Sequence, residues 1–175
     1  MNLVLIGYRG TGKSTVGKIL AERLDMRYVC MDNEIMGKAN MSTPEIVATY
    51  GWDKFRELET ELTKELTCQD GLVIDTGGGV IERPENIKEL QVNTRIFWLH
   101  ASIDTITSRI QDDTSRPALT SGKTFVEEVA DVLAKREPIY KAAAHHEIDT
   151  DDTTPSQIAD SIIKLWSRGN SGMDH

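Results

Sequence analysis

The 175-residue sequence has few cysteines and no long apolar run. Cys30 and Cys68 are its only two thiols, which is too few for the disulfide framework that stabilises small secreted domains. The opening apolar run, residues 3–6, is too short for a membrane span and lacks the basic flank and cleavage site of a signal peptide. These absences lead us to expect a cytoplasmic protein with no membrane partner.

Positive charge is also scarce. The chain has 20 Lys and Arg residues against 28 Asp and Glu residues, which gives a formal net charge of −8. An acidic surface repels the phosphate backbone of nucleic acids, so we expect no nucleic-acid partner. An anionic small molecule is still compatible with this charge, because a local cluster of arginines can reverse the field inside a cleft. We expect a monomer.

Short apolar runs alternate with segments of helical periodicity along the chain. We predict strands at the four apolar runs, residues 3–6, 28–31, 72–74 and 96–99, and a short fifth strand at residues 147–149. Strands that alternate with helices are typical of βαβ units, in which helices cover both faces of a parallel sheet. We therefore predict an α/β fold of three layers around a five-stranded parallel sheet.

Local signals predict where several elements begin and end. The second strand is expected to end at Asp32. Thr43 is expected to cap a helix whose first turn holds Pro44, and capping boxes predict further helix starts at Thr124 and Thr154.

The domain boundaries follow from composition. The length suits a single domain, which we place at residues 1–166. Polar residues 111–123 are expected to form a short mobile lid within it, and residues 167–175 a disordered tail.

A phosphate-binding loop lies between the first predicted strand and the helix after it. Residues 7–14, GYRGTGKS, match the pattern G-x-x-x-x-G-K-[ST] in full. The glycines let backbone N–H groups point at phosphate oxygens, and the helix N-terminus adds a positive dipole. Lys13 supplies a charge to the β- and γ-phosphates, and the Ser14 hydroxyl suits Mg²⁺. We expect ATP and Mg²⁺ as cofactors, with the nucleotide held here by Gly10, Thr11, Gly12, Lys13, Ser14 and Thr15.

Two further features follow neighbouring strands. Asp32 could orient an attacking hydroxyl or accept its proton, or it could hold a water on Mg²⁺; it could also be a simple helix cap. Gly77, Gly78 and Gly79 follow the third predicted strand. Three successive glycines cost backbone entropy, so they favour a close approach of a ligand to the main chain, although a tight turn is an alternative.

Three arginines are candidate anion-binding residues. Arg56 lies three residues before Glu59, which could hold the guanidinium in one rotamer for bidentate recognition of a carboxylate; the alternative is a surface ion pair of little energetic value. Arg136 could be a second anion clamp, or only a favourable cation near the end of its helix. Arg116, in the expected lid, could neutralise charge on the transferring phosphate and so act in catalysis.

Taken together, these motifs resemble the shikimate kinase family, along nearly the whole chain. The six shared features are a phosphate loop, an Asp after strand two, Phe-Arg-x-x-Glu, Gly-Gly-Gly, Arg-Pro and Arg-x-x-x-Tyr. The resemblance implies a P-loop fold like that of nucleoside monophosphate kinases. It also implies transfer of a phosphoryl group from ATP to a hydroxyl of shikimate, giving shikimate 3-phosphate.

The resemblance also implies a role for each matching residue. Lys13, Asp32 and Arg116 would be catalytic, and Asp32 would also contact the ring hydroxyls of shikimate. Arg109, Arg116 and Pro155 would contact ATP, with Arg109 and Pro155 near the adenine. The substrate would be held by Arg56, Arg136 and the backbone of Gly77, Gly78 and Gly79.

The chain departs from the family pattern at two neighbouring positions. The family has Asp-x-Asp at the end of strand two, whereas this chain has Cys30 at the first of these positions, and it has Asp75 where the family has a small or neutral residue. A thiol is a poor ligand for Mg²⁺. We hypothesise that Asp75, together with Ser14, supplies the carboxylate on the magnesium side, directly or through water. A different register, with Asp32 and Glu34 as the acid pair, is the alternative.

Two other functions remain open at this point. A kinase for another small acid, such as gluconate, would share the phosphate loop but should lack the combination of Phe-Arg-x-x-Glu and Gly-Gly-Gly. A nucleotide-dependent regulatory protein would have no small acceptor, so its arginines and glycines would share no ligand.

Overall fold

Five parallel strands form one sheet in a computed structural model, which describes residues 1–111 and 124–170. The order of the strands across the sheet is β2-β3-β1-β4-β5. The strands are β1 Asn2–Ile6, β2 Arg27–Cys30, β3 Leu72–Asp75, β4 Thr94–His100 and β5 His146–Asp149. The predicted five-stranded parallel sheet is confirmed.

Helices cover both faces of this sheet. They are α1 Lys13–Leu24, α2 Met31–Ala39, α3 Thr43–Tyr50, α4 Trp52–Thr67, α5 Pro84–Leu90, α6 Ile103–Ile110, α7 Phe125–Ala143 and α8 Pro155–Asn170. Successive side chains along a strand point to opposite faces of the sheet, so neighbouring residues of β1 pack against different helices. Val4 packs with α4 and α7 in one buried cluster, and Leu5 packs with α1 and α8 in another. The predicted three-layer arrangement is therefore confirmed.

The strand order brings the loops that carry the predicted site together. β3 lies between β1 and β2, with Asp75 paired to Leu5 on one side and to Cys30 on the other. The carboxyl ends of all three strands thus meet at one edge of the sheet, which is where ligands bind in open α/β folds.

Two predicted boundaries are wrong by one or two residues. β2 ends at Cys30, and Asp32 lies in the first turn of α2 and not at the end of the strand. Met31, which extends the apolar run of the strand in the sequence, belongs instead to the buried face of α2. The cap of α3 is Ser42 and not Thr43, since the side chain of Ser42 accepts a hydrogen bond from the backbone N–H of Glu45.

The last two helices, α7 and α8, include residues that local sequence signals do not favour as helical. α7 continues through Pro138 to Ala143, because the burial of Tyr140 and Ala143 outweighs the one hydrogen bond that a proline removes. α8 extends beyond residue 166 to Asn170, so the first part of the expected tail is helical. The predicted capping boxes at Thr124 and Thr154 are confirmed.

Three predictions fall on residues that the structure does not describe. They are the lid, apart from its first residue, the position of Arg116, and the tail beyond residue 170. Among the described residues, no helix is both long enough and apolar enough to cross a membrane.

Candidate active site

The phosphate loop connects β1 to α1, as its motif predicts. Gly10 and Gly12 have φ angles of 83° and 91°, in the left-handed region that side chains disfavour, and Gly12 is the N-cap of α1. A Cβ atom at Gly7 would lie 2.3 Å from the carbonyl oxygen of Leu99. The glycines of the motif are therefore required by backbone conformation and by close packing against β4.

Lys13 is held across the inside of this loop. Its ammonium group donates hydrogen bonds to the carbonyl oxygens of Gly7, at 2.7 Å, and Tyr8, at 3.0 Å. Lys13 is only 8% exposed, so its positive charge lies inside the loop near the first residues of α1. Its charge and the dipole of α1 both favour a phosphate at this position.

A carboxylate and a hydroxyl meet beside the loop, at the end of β3. Ser14 Oγ donates to Asp75 Oδ2 at 2.8 Å, and the Tyr28 hydroxyl donates to the same oxygen at 2.7 Å. Asp75 is 4% exposed, and its backbone pairs with Cys30 on β2. The two residues that the sequence predicts for Mg²⁺ are therefore in direct contact.

The chemistry of the neighbouring groups fits a hard cation at Asp75 better than at Cys30. Burial, opposed in part by a backbone hydrogen bond, raises the pKa of the Cys30 thiol, which therefore stays protonated at neutral pH. Burial and the hydrogen bond to Asp75 raise the pKa of Tyr28, which keeps it a donor to the carboxylate. The described residues contain no group of three or more His, Cys, Asp or Glu side chains that could hold a metal ion. A cation bound here would need further oxygen ligands from phosphate and water.

The three successive glycines are surrounded by the side chains that the sequence predicts for the substrate. A Cβ atom at Gly77 would lie 2.9 Å from Asp32 Oδ1, one at Gly78 would lie 3.2 Å from Arg136 Nη1, and one at Gly79 would lie 2.3 Å from Arg56 Nη1. None of the three glycines has a positive φ. The chain does turn here, since the Val80 N–H donates to the carbonyl oxygen of Gly77, but a turn without a positive φ does not require glycine. The three glycines are needed because they leave room for these side chains.

A buried hydroxyl fixes the centre of this glycine segment. Tyr140, on α7, is fully buried and donates a hydrogen bond from its hydroxyl to the carbonyl oxygen of Gly78. Burial raises the pKa of Tyr140 to about 12, so the hydroxyl stays protonated at neutral pH. The segment is thus attached to the same helix that carries Arg136.

The two predicted substrate arginines are both buried. Arg56 Nη1 donates to Glu59 Oε1 at 2.6 Å, and the two side chains are 8% and 0% exposed. The interpretation of this pair as a surface ion pair is therefore wrong. The side chain of Arg136 is 5% exposed and lies well before the end of α7, so the interpretation of Arg136 as a cation at a helix end is wrong as well.

Glu82, which belongs to none of the predicted site motifs, joins the two arginines. Its Oε1 accepts hydrogen bonds from Arg136 Nη2 at 2.8 Å and Nε at 3.1 Å, and its Oε2 lies 3.4 Å from Arg56 Nε. Glu82 ends a short 3-10 turn, Val80–Glu82, that directly follows the glycines. Burial alone would lower the pKa of Arg136, but the neighbouring Tyr140 and Glu82 outweigh it and raise the pKa.

These groups line two cavities. The first, of about 390 Å³, is the phosphate-loop cavity, and its lining includes Lys13, Ser14, Asp32, Asp75, Gly77 and Gly78. The second, of about 300 Å³, we call the arginine cleft; it is lined by Trp52, Asp53, Arg56, Glu82, Val132, Lys135 and Arg136. Trp52 is partly buried, and the centre of its ring lies 5.0 Å from the Arg56 guanidinium carbon.

The residues predicted to contact adenine lie on the other side of the loop. Arg109 and Pro155 line a third cavity of about 260 Å³ together with Gly10 and Thr15. Arg109 donates a hydrogen bond to the carbonyl oxygen of Gly10 at 2.8 Å. The structure thus brings together all predicted site residues except Arg116, which lies outside the described residues.

Comparison with known proteins agrees with this geometry. A family model described as shikimate kinase matches residues 9–167. This chain belongs to the shikimate kinase family. The predicted family, its P-loop fold and a phosphotransferase that acts on an alcohol group are thereby confirmed, and the gluconate kinase and regulatory alternatives lose their support.

Individual members of the family resemble the kinase over almost its full length. A shikimate kinase from Thermodesulfovibrio yellowstonii is 40% identical over 171 residues, which are 98% of each chain. One from Caldicellulosiruptor bescii is 38% identical over 164 residues, 94% of each chain. The solved structure of shikimate kinase from Acinetobacter baumannii in complex with shikimate has a TM-score of 0.91 and 32% identity, and the match covers 96% of this chain and 93% of that one.

Proposed function

We propose that this kinase transfers the γ-phosphoryl group of ATP to the 3-hydroxyl of shikimate, giving shikimate 3-phosphate and ADP. The observation that carries the proposal is the arginine cleft, in which two buried guanidinium groups lie against the glycines at the edge of a complete phosphate-loop cavity. A cleft of this kind suits a small acid whose hydroxyl must reach the γ-phosphate.

ATP binds along the phosphate loop and α1 in this proposal. Backbone N–H groups of Gly10, Thr11, Gly12, Ser14 and Thr15 hold the phosphates, and the dipole of α1 adds to their attraction. Lys13 releases the carbonyl oxygens of its own loop and contacts the β- and γ-phosphates. Adenine occupies the cavity between Arg109 and Pro155. The family resemblance assigns Arg116 to the transferring phosphate.

The contact between Ser14 and Asp75 is where we place Mg²⁺. The oxygens of these residues, directly or through water, would hold the cation, which would neutralise charge on the β- and γ-phosphates. Asp75 takes the role that a carboxylate at position 30 has in the family pattern. Tyr28 holds Asp75 in one orientation through its hydroxyl, which points at Oδ2.

Asp32 is the group that acts on the substrate hydroxyl. It lines the phosphate-loop cavity with Lys13, and its carboxylate lies beside Gly77, the first of the three glycines that pack against Arg136 and Arg56. From that position Asp32 orients the hydroxyl for in-line attack and accepts its proton as the new P–O bond forms. The positive charge of Lys13 stabilises the phosphoryl group during transfer.

Arg56 and Arg136 bind the substrate carboxylate. Glu59, which is fully buried, holds the Arg56 guanidinium in one orientation, so little side-chain entropy remains to be lost on binding. The backbone of Gly77, Gly78 and Gly79 adds contacts on the same side. We also propose a monomer that acts in the cytoplasm without a nucleic-acid or membrane partner; the net charge of −8 disfavours self-association and binding to nucleic acid or anionic membranes.

A panel of acceptors tests this proposal. ADP release is measured at fixed MgATP with shikimate, gluconate, a nucleoside monophosphate or no acceptor. We expect release that depends on shikimate and is close to background in the other three reactions. Equal release without any acceptor, or faster release with gluconate, would contradict the proposal.

A further inference from the structure

The Glu82 carboxylate lies between the two substrate arginines and pairs with both of them. It accepts two hydrogen bonds from Arg136 and lies 3.4 Å from Arg56 Nε, while Arg56 Nη1 is used by Glu59. A ligand carboxylate that paired with both guanidinium groups would compete with Glu82 for Nε and Nη2 of Arg136 and for the position beside Arg56 Nε. Glu82 therefore competes with a carboxylate ligand in the arginine cleft.

The charges of the cleft are balanced only while one carboxylate lies between the arginines. Arg56 and Arg136 carry two positive charges, and Glu59 and Glu82 carry two negative charges. The remaining charged residues of the lining, Asp53 and Lys135, cancel each other. A substrate carboxylate that bound beside Glu82 would leave one uncompensated negative charge against buried groups, which is costly. Exchange of Glu82 for the substrate carboxylate keeps the balance.

Glu82 is also able to leave. Its side chain is 43% exposed, whereas the side chains of Arg56 and Arg136 are 8% and 5% exposed. Its backbone is held separately, by a hydrogen bond from its N–H to the carbonyl oxygen of Gly79. Rotation of the side chain toward solvent therefore requires no movement of the glycine segment.

We propose that Glu82 is an internal competitor for the substrate carboxylate. This inference rests on the proposed function. In the free kinase Glu82 pairs with both arginines, and shikimate displaces it into solvent. Displacement lowers the affinity for shikimate, but it favours acceptors with a carboxylate, because an uncharged ligand cannot replace Glu82 between the arginines. Glu82 is thus a specificity-determining residue of the acceptor site.

The test is the dissociation constant of shikimate for the Glu82→Gln variant, measured by titration calorimetry in the absence of nucleotide. Glutamine keeps the size of the side chain and removes its charge. We expect shikimate to bind about tenfold more tightly, because a hydrogen bond to a charged group is replaced by a weaker neutral one. Glu85→Gln is the matched control, since Glu85 is exposed and lies outside the cleft; its affinity should equal that of the unmodified kinase.

Two further measurements separate competition from other roles. The methyl ester of shikimate, which lacks the negative charge, should bind the unmodified kinase and Glu82→Gln with affinities that agree within about twofold. Glu82→Asp has a shorter side chain, which cannot pair with both arginines at once. This variant should also bind shikimate more tightly than the unmodified kinase, but its gain in affinity should be smaller than that of Glu82→Gln. This variant keeps the charge of the segment and replaces Glu82→Gln if the glutamine variant does not fold.

Unchanged or weaker shikimate binding in the folded variants would overturn the inference, since it would mean that Glu82 only holds the arginines in position. An equal gain for the methyl ester would also overturn it. Failure of the unmodified kinase to bind shikimate at all would instead overturn the proposed function, and this inference with it.

Discussion

The phosphate-binding part of the nucleotide side is one continuous segment, residues 7–15, whereas the acceptor side gathers side chains from distant parts of the chain. Backbone groups and the N-terminus of α1 form the first. The second depends on α2, α4, the segment after β3, and α7, which contribute Asp32, Arg56, Glu82 and Arg136. A site made of backbone groups from one loop depends little on the rest of the fold. A site made of side chains from several helices and loops forms only if those elements pack in the correct relative positions. The two sides should therefore respond separately to substitution.

The largest effect is expected at Lys13, on the nucleotide side. Lys13→Ala removes the ammonium group that is held inside the phosphate loop, so kcat should fall by about 10²–10³-fold. The dissociation constant of shikimate, measured without nucleotide, should stay the same, because Lys13 does not line the arginine cleft. Lys88→Ala, an exposed lysine on α5, is the matched control for the loss of a lysine. A parallel loss of shikimate affinity would mean that the two sides are not separable.

A smaller effect, confined to the acceptor side, is expected at Arg136. Arg136→Lys keeps the positive charge but removes the planar pair of donors, so the KM for shikimate should rise by about tenfold or more. The KM for ATP should not change. Arg83→Lys, at a partly buried arginine outside the cleft, should leave both values as they are. A KM for ATP that rises as much as that for shikimate would contradict the assignment of Arg136 to the acceptor.

The smallest of the three effects is expected at Asp75, where the two sides meet. Asp75→Asn should raise the Mg²⁺ concentration needed for half-maximal activity by about tenfold, a range typical of groups that orient or complete a metal site. Adding Cys30→Asp should recover part of this loss, since it restores a carboxylate on the neighbouring strand. Calorimetric titration with ADP, in the presence and in the absence of Mg²⁺, measures how much the cation contributes to nucleotide affinity in each variant, without any turnover.

Asp25→Asn is the control for Asp75→Asn, because it makes the same change at an exposed residue between α1 and β2. A Mg²⁺ dependence that is the same in Asp75→Asn and the unmodified kinase would show that Asp75 does not serve the cation.

The same contrast explains how much of the molecule could be predicted from its sequence. The phosphate loop could be predicted because its glycines and Lys13 act within a few residues of one another. The first four strands could be predicted because each contains a short apolar run, whereas β5 has only one apolar residue, Ile148. Pairing of Arg56 with Glu59 could be predicted from a spacing of three residues, but the burial of both side chains could not, since it depends on the segment after β3.

The features that were missed depend on contacts between distant residues. Glu82 and Arg136 are separated by 54 positions, and no local pattern marks Glu82 as a partner of an arginine. The end of β2 was misplaced because Met31 is apolar in either interpretation, and only packing decides that it faces the core from a helix. The glycines were expected to serve a ligand, whereas they first of all make room for Asp32, Arg56 and Arg136.

We propose that the acceptor is selected by its carboxylate at the arginine cleft, while the phosphate loop binds the nucleotide from which the phosphoryl group is transferred. The most direct test is ADP release by the unmodified kinase at saturating MgATP, with shikimate and with its methyl ester in parallel. We predict that kcat/KM for the ester is lower by about 10²-fold, since it loses charge-assisted hydrogen bonds to two guanidinium groups. Equal values of kcat/KM for the two acceptors would contradict the account.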